Sequence, residues 1–378
     1  MAGKTKGVSE SGMVADDEHD KEESLANDLV VTKYAQAADI VNGVLKEVIA
    51  AVKEDVEVGF LCDLGDRLIL ERTSKVFKKE KEVQKGIAMP TCISVDNCIC
   101  HYSPLRSDPP VVLRKGQMVK IDLGAHIDGY VATAAHTVVV GASNTDKITQ
   151  RKASVIMAAY NAMEATIRML RPELYKNMEV TEMIDRIATF YKPIENMLSH
   201  QLSRNKIDGE KQIIQNPGEK QRSEMTKCSF ETYEAYAIDI LMSTGEGHVK
   251  PVDTRTTVYK RTDDIIYSLK IKASRTFFSN AVSRFGSMPF TLRAFEEEKN
   301  AKMGVVECER HGLLQPYQVL YEKDGEFVAQ FKSTVLILPG GLLKITGLPL
   351  DSSLISCDEK ITDSSVSPDV RIFPFFLY

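Results

Sequence analysis

The stretch at 118–140 constrains the chain more than any other. It reads Met-Val-Lys-Ile-Asp-Leu-Gly-Ala-His-Ile-Asp-Gly-Tyr-Val-Ala-Thr-Ala-Ala-His-Thr-Val-Val-Val. Val119, Ile121 and Leu123 alternate with Lys120 and Asp122, the period-2 signal of a half-buried strand. Asp128-Gly129 supplies a tight hairpin turn, because a type I′ turn needs positive φ at both central residues. A turn that tight sets Ile127 opposite Tyr130 and Asp122 opposite Ala135, with Thr133 diagonal to Asp122 on the same face. A carboxylate in an apolar strand is costly to bury without a partner. Asp122 is then either a hydrogen-bonded structural residue or one half of a cation site.

No apolar run approaches the eighteen or so residues of a membrane span, which predicts no membrane insertion. The start is acidic, through Asp16-Asp17-Glu18-His19-Asp20, and lacks a signal-peptide core. The seven cysteines are odd in number and scattered, which predicts reduced thiols in the cytosol or nucleus. With 43% apolar residues the chain can bury a sizeable core. The net charge of −5 hides an asymmetry. Residues 1–28 hold three Lys against eight acids, whereas residues 255–293 hold eight Lys and Arg against two Asp. A basic stretch in a chain with acidic ends is a reason to consider nucleic acid.

Residues 1–26 are polar and acidic and are expected to be disordered. Helical spacing begins at Leu29 and runs to Val52, and a second helix is predicted over 60–77. The run at 75–85 carries five Lys, including Lys78 and Lys79, against two Glu, as a solvated helix end would. Strands are predicted around 87–101, helices over 148–170 and 180–191, and an irregular segment over 194–214. A strand over 229–242 ends in the loop 243–248, whose glycines read as a plain turn, because no P-loop lysine accompanies them. A strand at 256–260, helices between 274 and 308, and strands at 326–338 and 342–346 complete the chain. Without βαβ alternation or a dinucleotide fingerprint, the fold class is α+β. Cys98, Cys100 and His101 lack a second ligand pair for zinc and read as part of a strand.

Lys120-Ile121-Asp122-Leu123-Gly124, a turn and a second strand resemble the metal-binding hairpin of type II methionine aminopeptidases. The resemblance covers 27–348 and implies a pita-bread fold, a curved antiparallel sheet flanked by helices. It also implies a helical insertion at about 254–316 and leaves 349–378 as a poorly ordered tail. In that family five side chains bind two divalent ions. Asp122 keeps the first position and His200 the histidine. Thr133 replaces the second Asp, Asp239 stands for a Glu, and Lys332 stands for the bridging Glu. An ammonium about 4 Å from a dication is opposed by roughly 8 kcal/mol at an effective dielectric of 20. That matches the roughly 8 kcal/mol of micromolar binding before the lost ligands are counted. His101 keeps one substrate-contacting histidine, and Asp208 replaces the other.

The resemblance is closer to the family's non-catalytic branch of ErbB-3-binding, proliferation-associated proteins. Asp28-Leu29-Val30-Val31-Thr32-Lys33-Tyr34, Phe77-Lys78-Lys79-Glu80-Lys81-Glu82, Asp208-Gly209-Glu210-Lys211, Ile213-Ile214-Gln215-Asn216-Pro217 and Met288-Pro289-Phe290-Thr291-Leu292-Arg293-Ala294-Phe295 carry it. It implies an inactive chain with no cofactor and no metal, monomeric, and associated with the large ribosomal subunit, rRNA or other structured RNA. Receptor cytoplasmic tails and transcription regulators are further partners that it implies. Translation, ribosome biogenesis and cell growth would be regulated from the cytoplasm, nucleus and nucleolus. The lysine-rich end of that branch is missing here, where the chain reads Phe373-Pro374-Phe375-Phe376-Leu377-Tyr378. The RNA- or ribosome-binding candidates are therefore Lys260, Arg261, Lys270, Lys272, Arg275, Arg284 and Arg293, with Lys78 and Lys79. The alternatives are a working metal-dependent aminopeptidase and a protein-only signalling adaptor.

Overall fold

Asn27 accepts a hydrogen bond from the Leu29 amide at 3.0 Å and so caps the first long helix, α1 (Asp28–Ala51). Its apolar stripe, from Val30 through Tyr34, Val41 and Leu45 to Val48, is buried against the central sheet. The computed structural model describes residues 23–188 and 191–357. Helix α2 (Val58–Thr73) follows, then strands β1 (Lys85–Val95), β2 (Cys98–Cys100), β3 (Met118–Ile127) and β4 (Tyr130–Val139). Helices α3 (Gln150–Met169) and α4 (Asn177–Ile187) precede β5 (Lys192–Pro193), β6 (Leu198–Leu202), β7 (Gln212–Ile214), the short α5 (Glu219–Glu224) and β8 (Ala235–Ser243). Next come β9 (Lys250–Pro251), β10 (Val258–Arg261), α6 (Lys272–Phe285), β11 (Phe290–Thr291), α7 (Glu298–Arg310), β12 (Leu314–Tyr317) and β13 (Leu320–Tyr321). Strands β14 (Val328–Leu338) and β15 (Gly341–Lys344) close the sheet.

The large sheet is antiparallel, in the order β1-β3-β4-β14-β8-β6-β7, with β15 on β14 and β5 on β8. The hairpin has the predicted register, with Ile127 opposite Tyr130 and Asp122 opposite Ala135. Asp128 and Gly129 both have positive φ, as the tight turn requires. Alternation then sorts the two faces. Ile121, Leu123 and Ala134 face α1 and α2, while Phe331, Ile238 and Ile240 face α3 and α4. The residues one step along each strand line the other face, where the site lies.

Several expectations are corrected. The irregular segment at 194–214 forms β6 and β7, which extend the sheet beyond β8. The strand placed at 229 starts at Ala235, because Tyr233, at φ 73°, turns the chain just before it. The insertion is not purely helical: β10 pairs with β11 and β12, and α6 and α7 pack over them around Phe277, Phe290, Phe295 and Leu314. Residues 1–22 and 358–378 of the expected disordered ends lie outside the described residues. Inside them, Leu25 is buried and Glu23 pairs with Arg204, so packed chain begins before residue 27. Leu350, Ile355 and Cys357 likewise pack against the core beyond residue 348. Among the described residues no helix is long and apolar enough to cross a membrane.

Candidate functional site

One register row crosses four strands. Asp122 on β3 lies opposite Ala135 on β4, Ala135 opposite Lys332 on β14, and Lys332 opposite Asp239 on β8. Directly opposed residues share a face, so all four point into one pocket. Ala135 is small enough to let the charged groups meet over it. The Lys332 Nζ lies 2.6 Å from Asp122 Oδ2 and 3.0 Å from Asp239 Oδ2. One ammonium thus joins both carboxylates. Gln330, two residues earlier on the same face, donates to Asp239 Oδ1 at 2.9 Å. Strand alternation alone could have nominated Gln330, which the sequence reading passed over.

The electrostatics follow from burial. Asp122 is only 3% exposed, and desolvation pushes its carboxyl above the ordinary range, with the Lys332 charge opposing. Burial by itself would discharge Lys332, but Asp122 and Asp239 outweigh it and hold the ammonium well above the usual lysine range. Ser199 donates to neither carboxylate; it accepts from the Asp239 backbone amide at 2.9 Å and so fixes that strand. Asp122 Oδ1 and Thr133 Oγ1 are buried with no hydrogen-bond partner among the described residues.

His200, on β6, sits opposite Ala237, two residues along β8 from Asp239 and so on the same face. Its Nδ1–H donates to the Ile207 carbonyl at 2.9 Å. Burial, reinforced by the Lys332 charge, pushes its pKa down to about 4, so the ring is neutral with a lone pair on Nε2. His101 follows β2 at φ 65° and donates Nδ1–H to the Gln318 carbonyl at 3.0 Å. Its ring stands edge-on to Tyr317 at 5.1 Å, and burial lowers its pKa too. Tyr317, also missed from sequence, feels the charges of Asp208, Lys332 and Asp122, although burial is the main reason its hydroxyl stays protonated. Cys98 and Cys100 are buried in β2, as structural residues are.

These side chains do not fit a pair of divalent ions. Thr133 offers a hydroxyl where a carboxylate is needed, and Lys332 sets a positive charge between the two carboxylates that remain. Among the described residues no three His, Cys, Asp or Glu side chains gather to hold an ion.

The basic candidates divide into two groups. Lys260 pairs with Asp208 and has a side chain only 11% exposed. Arg293 is buried and bridges Asp63 at 2.8 Å and Asp66 at 2.5 Å on α2, and it donates to Ser103 Oγ at 2.8 Å. Neither is a surface charge, and both are withdrawn as RNA contacts. Their carboxylate partners lie more than 50 residues away in sequence, where charge counting within the insertion could not see them. Lys270, Lys272, Arg275 and Arg284 are exposed along α6 and the loop before it, and Arg261 is half-buried. Arg284 lies over Phe285 at 4.8 Å, and Arg275 donates to the Leu269 and Lys270 carbonyls. Lys78 and Lys79 are exposed in a turn after α2, which ends at Thr73 rather than running on to 77.

Residues 32–242 match the family model described as metallopeptidase family M24. The chain belongs to metallopeptidase family M24. Among its M24 relatives is ErbB-3 binding protein 1 of Arabidopsis thaliana, 46% identical over 339 residues, covering 88% of this chain and 84% of that protein. The curved DNA-binding protein of Schizosaccharomyces pombe is 40% identical over 348 residues, covering 91% and 90%. The solved structure of a thermophilic Arx1 superposes with a TM-score of 0.85 at 31% identity, covering 91% of this chain and 98% of that one. The sheet and its flanking helices are thus the pita-bread fold of M24, and the similarity to ErbB-3-binding proteins read from sequence phrases extends over most of the chain.

Proposed function

We propose that this M24 chain is a non-enzymatic factor associated with the large ribosomal subunit and with rRNA or other structured RNA. It regulates translation, ribosome biogenesis and growth from the cytoplasm, nucleus and nucleolus. The observation that carries the non-enzymatic part is the Lys332 ammonium held between Asp122 and Asp239. A hydrolytic site of this family type needs a dication where that ammonium sits, and a proton-carrying group where Asp208 is engaged by Lys260. The nucleic-acid part is supported by the exposed cations Lys270, Lys272 and Arg275, and by a relative whose name states that it binds curved DNA. The ErbB-3 binding name of the Arabidopsis relative favours a second reading, in which a receptor tail is the partner.

Ribosome co-sedimentation over a salt series tests the proposal, with K270E/K272E beside the parent. Phosphate contacts release counterions, so parent binding should fall steeply with salt and the double variant should bind more weakly with a shallower slope. Equal binding by both chains at every salt concentration means that this face is not the contact. Turnover of a Met-Gly peptide by the parent with added manganese or cobalt means that the chain is an enzyme after all.

A further inference from the structure

We infer that a cavity on the helix side of the central sheet, beneath the stretch 345–355, binds a neutral apolar small molecule through one hydroxyl that meets His136. Ala135 shares the face of Lys332, so His136, next along β4, points the other way. The two sites lie on opposite faces of the sheet.

Helix α1 lies on β3 and β4, and α3 lies on β8 and β14. His136 stands between these two layers, opposite Ile121 on β3 and edge-on to Phe331 on β14 at 5.0 Å between ring centres. The chain after β15 roofs the space. At one end the Gly347 amide donates to Asn42 Oδ1 on α1 at 2.9 Å. At the other, the Ile148 amide donates to the Leu354 carbonyl and the Ser356 amide to the Ile148 carbonyl, both at 2.8 Å. Under this roof lies a cavity of about 450 Å³, lined by Ile49, Val138, Ile156, Leu350 and Ile355 around His136.

His136 is 6% exposed, and neither nitrogen of its ring has a hydrogen-bond partner among the described residues. Two other histidines of the sheet are held: His200 donates to the Ile207 carbonyl, and His126 accepts from the Gly129 amide. A buried polar group without a partner calls for an explanation. Because the ring lines the cavity, a molecule held there supplies the missing bond.

Size, polarity and charge define that molecule. Folded interiors pack too closely to leave room of this size, which falls within the roughly 300–1,000 Å³ of small-molecule sites. Aliphatic walls select an apolar body. Thr137, which borders the cavity, already donates to the Gln330 carbonyl at 2.7 Å. Lys53, Glu54 and Asp351 border it as well, and they are exposed. Inside, burial and the Lys344 charge push the His136 pKa down to about 4, so the ring is neutral. A charged head group would leave water and meet no counter-charge. A hydroxyl both donates and accepts, and so matches either nitrogen of a neutral imidazole. The occupant is a hydrocarbon with one hydroxyl, in the manner of a fatty alcohol.

The test uses the full-length chain and three probes with one tail: 1-octanol, octanoate and octylammonium. Calorimetry and thermal melts are recorded, with spectra of chain carrying carbon-13 in its histidine rings. Octanol binds one to one, raises the melting temperature and shifts the His136 ring signal. Octanoate and octylammonium bind at least about tenfold more weakly. H136F weakens octanol binding about tenfold, whereas H136Q, which keeps a donor and an acceptor, stays within about threefold of the parent. A142F, which adds a ring at the cavity wall, abolishes binding, and A142L serves if that variant does not fold. Absence of saturable octanol binding to the parent overturns the inference. So does octanoate or octylammonium binding as tightly as octanol, an unmoved His136 signal, or H136F binding like the parent. The cavity uses neither the Lys332 pocket nor the cations of the insertion, so every one of these outcomes leaves the proposed function as it stands.

Discussion

The sheet face around Lys332 and the outer face of the insertion are both rich in cations, and they use them in opposite ways. On the sheet, Lys332 sits between two aspartates over an alanine, and Arg293 sits between two more at the base of the insertion. On the outer face, Lys270 and Lys272 stand in solvent. The buried cations hold segments of the chain together and have no charge left for a partner. The exposed ones hold little and carry the charge that a phosphate backbone could meet. Counting lysines and arginines therefore locates neither role. The location of the compensating carboxylate decides between them.

That contrast can be broken most severely with acid. Burial pushes the imidazoles of His126 and His136 down to about 4, so both stay neutral in the folded sheet. Unfolded chain takes up protons near pH 6.5 and folded chain does not. Stability should be full above pH 6.5 and fall as the pH drops towards 4, by roughly 3 kcal/mol for each ring. Urea melts at pH 7 and pH 5 measure this, and His136→Phe should flatten part of the slope. Coincident melts would mean that the rings are accessible to protons in the folded sheet.

Arg293→Met comes next, at about 3–5 kcal/mol, because it strands Asp63 and Asp66 at a buried contact. Thermal melts read it, and a loss below 1 kcal/mol would place Arg293 with the surface cations. Lys260→Ala should cost about 1–2 kcal/mol, since Asp208 is partly exposed and can turn to water. K270E/K272E should change stability by no more than about 0.5 kcal/mol while lowering the salt slope of RNA association by about 1–2. If denaturant melts of the double variant show a large loss, the two faces are not distinct in the way described.

Much of this was legible in the sequence wherever neighbours in the chain are neighbours in space. Period-2 alternation and Asp128-Gly129 fixed the hairpin to the residue, because a slip of one would turn every apolar side chain outward. The meeting of Asp122, Asp239 and Lys332 was legible only through family resemblance, since strands more than 90 residues apart bring them together. β6 was read as irregular because Leu-Ser-His-Gln-Leu has few strand-forming residues, and its pairing with β8 supplies what propensity lacks. Arg293 and Lys260 were read as surface charges because composition within 255–293 says nothing about Asp63, Asp66 and Asp208.

The insertion is fastened to the sheet domain on two sides. Arg293 ties it to α2, and Thr257 Oγ1 donates to the Ser103 carbonyl at 2.6 Å nearby. On the other side Lys260 holds Asp208, and Ser287 Oγ donates to the Asn205 carbonyl at 2.6 Å. An insertion anchored to two separate segments is a handle and not a hinge. A large partner that grips its outer face would fix the orientation of the whole body, so the direction in which the old pocket points would be inherited from a contact made some distance away. Loosening one anchor, as Arg293→Met should, would leave the grip intact and blur the orientation, which would appear in an imaged complex as a well-resolved insertion beside a smeared sheet.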